Sequence, residues 1–101
     1  MDQLLENMVC MELIRRGYTV TIGKAREKEV DFVAKNGNGK IYVQVAYLLS
    51  SQDTVEREFG AYDAIRDNYP KYVVSLDDFD MSRDGIKHRN IREFLLAEKW
   101  D

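Results

Sequence analysis

Two short apolar runs carry the residues with the clearest chemical potential. The first is Glu29-Val30-Asp31-Phe32-Val33, and the second, past a glycine-rich turn, is Ile41-Tyr42-Val43-Gln44-Val45-Ala46-Tyr47. Read as neighbouring strands joined across Asn36-Gly37-Asn38-Gly39, they form a hairpin that places Asp31 diagonal to Gln44. Side chains alternate along a strand, so Gln44 and Ala46 share one face and Val43, Val45 and Tyr47 the other. By the same rule Glu29, Asp31 and Val33 share a face of the first run. A magnesium site that cuts phosphodiesters uses two carboxylates to hold the ion and a lysine to orient the attacking water. Asp31 supplies one acid, Gln44 a neutral carbonyl oxygen, and Ala46 nothing. Glu6, beside Val9, Cys10 and Leu13 on a helical segment, is placed to offer a further acid to the same pocket. Asp31 also suits a plain solvated or ion-paired strand, because Lys24, Arg26 and Lys28 come just before it.

The elements that must position these groups follow from periodicity and breakers. Leu5, Met8, Val9, Leu13 and Ile14 recur at helical spacing, so a first helix is expected from a cap at Asp2 to Arg16, stopped by Gly17. Tyr18 to Ile22 alternates and is rich in β-branched residues, which predicts a strand. Glu29 to Lys35 is the second strand, and Lys40 to Leu49 the third and most apolar, hence central. Thr54 to Asn68 reads as a second helix, broken by Tyr69-Pro70, and Lys71 to Leu76 as a fourth strand. An acidic loop over Asp77–Gly85, a short strand over Ile86–His88 and a closing helix over Asn90–Glu98 complete the order. The fold class is therefore α/β, with a mixed central sheet flanked by helices and a helical crossover joining parallel strands.

Composition narrows the function classes. With 101 residues, 45% hydrophobic and 33% charged, the chain reads as a single domain spanning residues 1–101. A net charge of −3 and a pI near 5.2 argue against coating a duplex by broad electrostatics. The single Cys10 forms no internal disulfide, and no cysteine–histidine cluster has zinc spacing. The lone His88 reads as a strand or turn residue. No apolar run approaches the ~20 residues that cross a membrane, so no membrane partner is expected and the cytoplasm fits best. The tyrosines Tyr42, Tyr47, Tyr62, Tyr69 and Tyr72 read as core edge before base-stacking platforms. Arg57, Arg66, Lys71, Arg83, Lys87 and Arg89 are interleaved with acids, as on a mixed soluble surface. Asp77-Asp78-Phe79-Asp80 lacks the glycine and closing glutamate of a calcium loop.

Several segments together resemble a known domain. They include Glu6-Asn7-Met8-Val9, Arg15-Arg16-Gly17-Tyr18, Lys28-Glu29-Val30-Asp31-Phe32-Val33 and Tyr42-Val43-Gln44-Val45-Ala46-Tyr47. Glu56-Arg57-Glu58-Phe59, Asp67-Asn68-Tyr69-Pro70-Lys71-Tyr72-Val73 and Ser75-Leu76-Asp77 complete the likeness. The chain resembles the uncharacterised C-terminal domain of a large prokaryotic family of AAA-type ATPases, a domain similar to the PD-(D/E)XK nuclease superfamily. The resemblance implies a restriction-endonuclease-like αβββαβ core and a C-terminal fragment of a longer ATPase. It implies that Glu6 matches the helix-one acid, Asp31 the first motif acid, Gln44 the second acid and Ala46 the lysine. The last two depart from the nuclease pattern. No glycine-rich loop ending Gly-Lys-Ser/Thr occurs, so ATP binding by that route is excluded for these residues.

The expected function is a catalytically degenerate nuclease-like module that serves nucleic-acid or partner binding beside an ATPase domain. No cofactor is expected, the vestigial site being Glu6, Asp31, Gln44 and Ala46. Lys24, Arg26 and Lys28 are the candidate nucleic-acid contacts, and DNA binding is expected to be weak. The alternative is an active Mg²⁺-dependent DNase using Glu6, Asp31 and Gln44, with metal held by Asp31 and Glu6 and a lysine such as Lys28 moved into the pocket. A structural or oligomerising domain is the third reading.

Overall fold

The computed structural model describes residues 3–25 and 28–100, and it is an α/β fold with one mixed sheet. The order is α1 (Gln3–Arg15), β1 (Thr19–Ala25), β2 (Lys28–Asn36), β3 (Gly39–Val45), α2 (Gln52–Gly60), β4 (Lys71–Ser75), β5 (Lys87–Asn90) and α3 (Ile91–Leu96). The strands lie side by side in chain order, antiparallel from β1 to β3 and parallel from β3 to β5. β3 is thus central, as its apolar run predicts.

Alternation along the strands splits the core into two layers. Val9, Leu13, Ala34, Ile41, Val43, Val45, Tyr72, Val74, Ile91 and Phe94 pack on the face covered by α1 and α3. Val30, Val33, Tyr42, Ala46, Leu49, Val55, Phe59, Tyr62, Val73 and Ile86 pack on the α2 face. The first layer is closed by the chain's far end. Trp100 stacks on Phe94 at 4.2 Å and on Tyr18 at 6.0 Å, and the Arg16 guanidinium lies 4.0 Å over the indole. Arg16 also donates to the Leu95 and Ala97 carbonyls and pairs with Glu12 at 2.7 Å, so α1 is fastened to the segment after α3. Arg15 and Arg16 together outweigh the cost of burial and hold the Glu12 carboxyl at about 2.

The ends of α1 and α3 follow local rules. Gly17 adopts φ 94°, its amide bonds Ile14 O and the Tyr18 amide bonds Leu13 O, which together make a glycine-terminated helix cap. Asp2, the expected N-terminal cap, lies outside the described residues. Asn90 caps α3 by accepting from the Arg92 amide at 2.8 Å.

Several boundaries differ from expectation, and those of β3 and α2 have identifiable causes. β3 ends at Val45, and Tyr47 and Leu48 are exposed. Beyond Ala46 the chain leaves the ladder, and the Leu49 amide is taken by the Asp77 carboxylate at 2.7 Å. α2 starts at Gln52, because Ser51 Oγ accepts from Thr54 N, and it stops at Gly60 well before Asn68. There the i−3 carbonyls of Phe59, Gly60 and Tyr62 take over, and the Tyr62 hydroxyl reaches Tyr72 O at 2.6 Å across the core. Asp67 then gathers the Tyr42 hydroxyl, the Tyr69 amide and Lys71, fixing the return into β4.

One irregularity in the sheet sets the surroundings of Asp31. Between β1 and β2 the register runs Thr21↔Val33 and then Gly23↔Val30, so β2 carries an extra residue at Asp31–Phe32. The bulge turns Val30 and Val33 to the same layer, which strict alternation forbids. Gly23 sits against it, and a Cβ there would collide with Val33 Cγ2 and come within 3.3 Å of Val30 Cβ. Gly23→Ala should therefore destabilise the fold by about 1–3 kcal/mol through overpacking. Urea denaturation checks this; an unchanged midpoint would show that the bulge has slack.

Candidate functional site

The bulge lifts Asp31 out of the ladder and turns its side chain toward β3. Pairing of β2 with β3 runs as far as Phe32↔Val43. At the next step side chains replace backbone partners. Asp31 Oδ2 accepts from the Val45 amide at 2.9 Å, and Gln44 Oε1 accepts from the Asp31 amide at 2.5 Å. Asp31 and Gln44 therefore meet, as the hairpin implied, but through each other's neighbourhood of main chain.

The other end of Gln44 was not anticipated. Gln44 Nε2 donates to Glu58 Oε1 at 3.1 Å, so the amide bridges β2 to α2. Both ends of the amide have a defined role, which fixes its orientation. Gln44 is 5% exposed, and Glu58 is nearly as enclosed. Glu58 sits three residues after Val55 and next to Phe59, inside the helix stripe that faces the sheet. An acid within an apolar stripe was the signal available in sequence. The charge of this seam is felt by Tyr62: burial pushes its hydroxyl well above the ordinary value, and the nearby Asp31 and Glu58 carboxylates add to the rise.

Ala46, on the same face as Gln44, forms part of the wall of an open groove of about 840 Å³. Leu4, Leu5, Tyr47, Leu48 and Leu76 supply most of its apolar lining, with Thr54, Arg57 and Glu58 on the α2 side. Leu4, Tyr47 and Leu48 are exposed, so the groove presents large apolar side chains to solvent. Glu6 does not join the seam. It lies on α1, whose buried residues Val9 and Leu13 pack on the opposite layer, and it takes part in none of the hydrogen bonds that link Asp31, Gln44 and Glu58. Arg26 lies outside the described residues, as do the side chains of Lys24 and Lys28.

This geometry does not fit a magnesium ion held by Glu6, Asp31 and Gln44. The Gln44 oxygen is turned to a backbone amide, and one Asp31 oxygen caps another. Among the described residues no cluster of three or more Asp, Glu, His or Cys is disposed to hold a metal. Lys71, one of the cations near the sheet, is taken by Asp67 at 2.9 Å.

A second polar seam lies in the same layer system, one strand further on. The Met81 amide donates to His88 Nδ1 at 3.1 Å, which leaves the ring proton on Nε2, 2.7 Å from Ser75 Oγ. Ser75 in turn donates to Asp77 Oδ2 at 2.7 Å. Serine, histidine and aspartate are thus in line, but the order is wrong for nucleophilic catalysis. The serine proton goes to the aspartate, and Ser75 is wholly buried.

Comparison with known proteins places the chain without assigning it an activity. Residues 1–94 match the family described as a domain of unknown function, DUF4143, and the chain belongs to that family. It is 38% identical over 93 residues to an uncharacterized protein of Haemophilus influenzae, covering 91% of this chain and 22% of that one. The chain thus spans less than a quarter of the length of this relative. No solved structure matches it. No helix among the described residues is long and apolar enough to cross a membrane.

The Gln44 seam makes a sharp prediction. Gln44→Glu replaces the donor to Glu58 with a second carboxyl, at a cost of about 1–3 kcal/mol at neutral pH. The two carboxyls then share a proton, so their folded-state pKa rises above the ordinary ~4.3. The deficit should be small at pH 4 and grow as pH rises through that raised value, because the unfolded chain gives up its proton first. Urea midpoints at pH 4 and pH 7 measure it, and an equal deficit at both would refute the charged seam.

Proposed function

We propose that this chain is a non-cleaving, nuclease-like docking module of a longer AAA-type ATPase polypeptide, and that the groove beside Ala46 receives another part of that polypeptide. The observation that carries the reading is the Gln44 bridge. Where a cutting site needs a second carboxylate, a neutral amide is committed at both ends to holding β2 and α2 together. Where it needs a lysine, Ala46 opens onto an apolar groove. The resemblance to the ATPase-associated domain supplies the partner, and the length of the Haemophilus influenzae relative supports there being more protein for the module to hold. Net charge −3 favours a protein partner over nucleic acid. Lys24, Arg26 and Lys28 remain the proposed place for a weak, salt-dependent contact to DNA. The cytoplasm is the proposed compartment.

Two measurements test this. With Mg²⁺ or Mn²⁺ the protein should leave single- and double-stranded DNA intact; nicking that vanishes in Asp31→Ala would overturn the reading. Titration against the portion of the Haemophilus influenzae relative outside the matched residues should show saturable binding. Leu48→Asp places a charge on an exposed groove residue and should weaken that binding by about tenfold or more, which corresponds to ~1.4 kcal/mol. Equal affinity for the variant would remove the groove from the interface.

A further inference from the structure

Among the ties that hold the segment between β4 and β5 to the sheet, one imidazole makes two. His88 is 2% exposed at the middle of β5, and both ring nitrogens are engaged. Nδ1 accepts the Met81 amide from the loop, and Nε2 donates to Ser75 on β4. The His88 amide itself donates to Ser82 Oγ at 2.8 Å, so the loop is gripped on both sides of one residue. The line continues beyond the loop. Ser75 donates to Asp77 Oδ2, and that same oxygen accepts from the Leu49 amide at 2.7 Å. Leu49 belongs to the buried layer under α2 and stands two residues before Ser51, the cap of that helix. The Met81 amide of the loop is therefore connected, through four successive hydrogen bonds, to the segment that forms one side of the groove.

We propose that His88 is an acid-operated latch: a proton taken from solvent at Nδ1 displaces the Met81 amide, frees the Asp77–Gly85 loop from β5 and loosens the Asp77 hold on Leu49. The step is a simple exchange of roles. Protonated Nδ1 becomes a donor, so it repels the Met81 N–H it formerly accepted and turns to the Phe79 carbonyl nearby. The charged groups around the ring come from each packed element. Asp77 and Asp80 on the loop favour the charged ring, and Arg89 on the same strand disfavours it. Asp78 and Glu93, the latter on α3, line the small cavity of about 270 Å³ that gives onto the ring. Burial is the largest influence and holds the ring's pKa below 6.5, so the latch is closed at neutral pH. The sign is that of a buried neutral histidine. The latch's contribution is fully present above the unfolded value near 6.5 and is lost as pH falls through the lower folded value.

Amide hydrogen exchange followed by NMR from pH 7.5 to pH 4.5, corrected for intrinsic rates, tests the latch. Opening at Met81 and Leu49 should rise together, by up to about tenfold per pH unit, as pH falls from about 6.5 to the midpoint of the His88 ring titration, and level off below it. The amides of Val43 and Val74, in the core strands, should keep their protection. His88→Asn keeps an acceptor near the Nδ1 position but cannot titrate, so in that variant Met81 should lose its pH dependence. If the variant does not fold, the wild-type comparison decides alone. Met81 protection that ignores the ring titration, Leu49 that does not follow Met81, or opening that spreads to Val43 and Val74 would each overturn the proposal.

Discussion

The structure turns on one hydrogen bond at the bulge, from the Val45 amide to the Asp31 carboxylate. β3 is the central strand, so a backbone donor at its end is buried on every side, and Val45 itself is almost fully covered. The extra residue in β2 removes the carbonyl that would have met it. An orphaned buried amide costs about 1–3 kcal/mol, and Asp31 satisfies it with charge-assisted strength. The Asp31 amide is left over by the same displacement, and the Gln44 side chain accepts it. Gln44 then has a free pair of amide protons, and one of them reaches Glu58. One insertion in one strand thus explains a chain of three polar side chains that joins the sheet to α2. A neutral residue has to stand between the two acids. That requirement, set by packing and charge, accounts for a glutamine here without reference to catalysis.

The two layers of the core are finished in different ways, and this sets where a partner can approach. On the α1 and α3 face, Trp100 lies between Phe94 and the Arg16 guanidinium, and the indole N–H donates to Phe94 O at 2.8 Å. Aromatic area, a cation over the ring and three hydrogen bonds seal that side. At the carboxyl ends of β3 and β4 there is no such closure. Tyr47 and Leu48 turn outward as the strand ends, and Leu4 faces them from α1. Single exposed apolar residues are ordinary on a protein surface, but several converging on one groove are the kind of patch that marks interaction sites.

Much of the fold was legible because its rules are local. Alternation in Tyr42–Ala46 placed Gln44 and Ala46 on one face, the Asn36–Gly39 turn paired β2 with β3, and Gly17 ended α1 where the periodicity did. What escaped was set by partners distant in sequence. The bulge depends on Gly23 leaving room for Val33 and Val30, and nothing near Asp31 announces it. α2 ends at Gly60 because Tyr62 is drawn into the core toward Tyr72, while helical pattern alone continues to Asn68. Glu6 was expected at the pocket from its place beside Val9, Cys10 and Leu13 on the first helix, and the hydrogen bonds that link Asp31, Gln44 and Glu58 do not include it. Glu58 holds the seam instead, and its position in the Val55–Phe59–Tyr62 stripe was the one clue in the sequence.

The two polar seams and the groove share a location, and topology explains why. In α/β sheets the chain leaves parallel strands at their carboxyl ends, where backbone groups run out of ladder partners and side chains take over. Here the Leu76 amide bonds Tyr47 O, Asp77 takes the Leu49 amide, and Asn90 donates to the carbonyls of Leu76 and Asp77. The segments after β3, β4 and β5 are therefore laced to one another by hydrogen bonds as well as by the apolar packing of Leu49, Ile86 and Ile91. Hydrogen bonds of this kind each contribute about 1 kcal/mol net, well below the burial of a large core side chain. The hydrogen bonds of the carboxyl edge can thus exchange partners at a modest cost each. That edge is also where Leu48 and Leu76 stand exposed or half-buried beside Ala46. A surface that is apolar, open and held by exchangeable polar contacts is suited to forming and releasing an interface, which the sealed α1–α3 face is not.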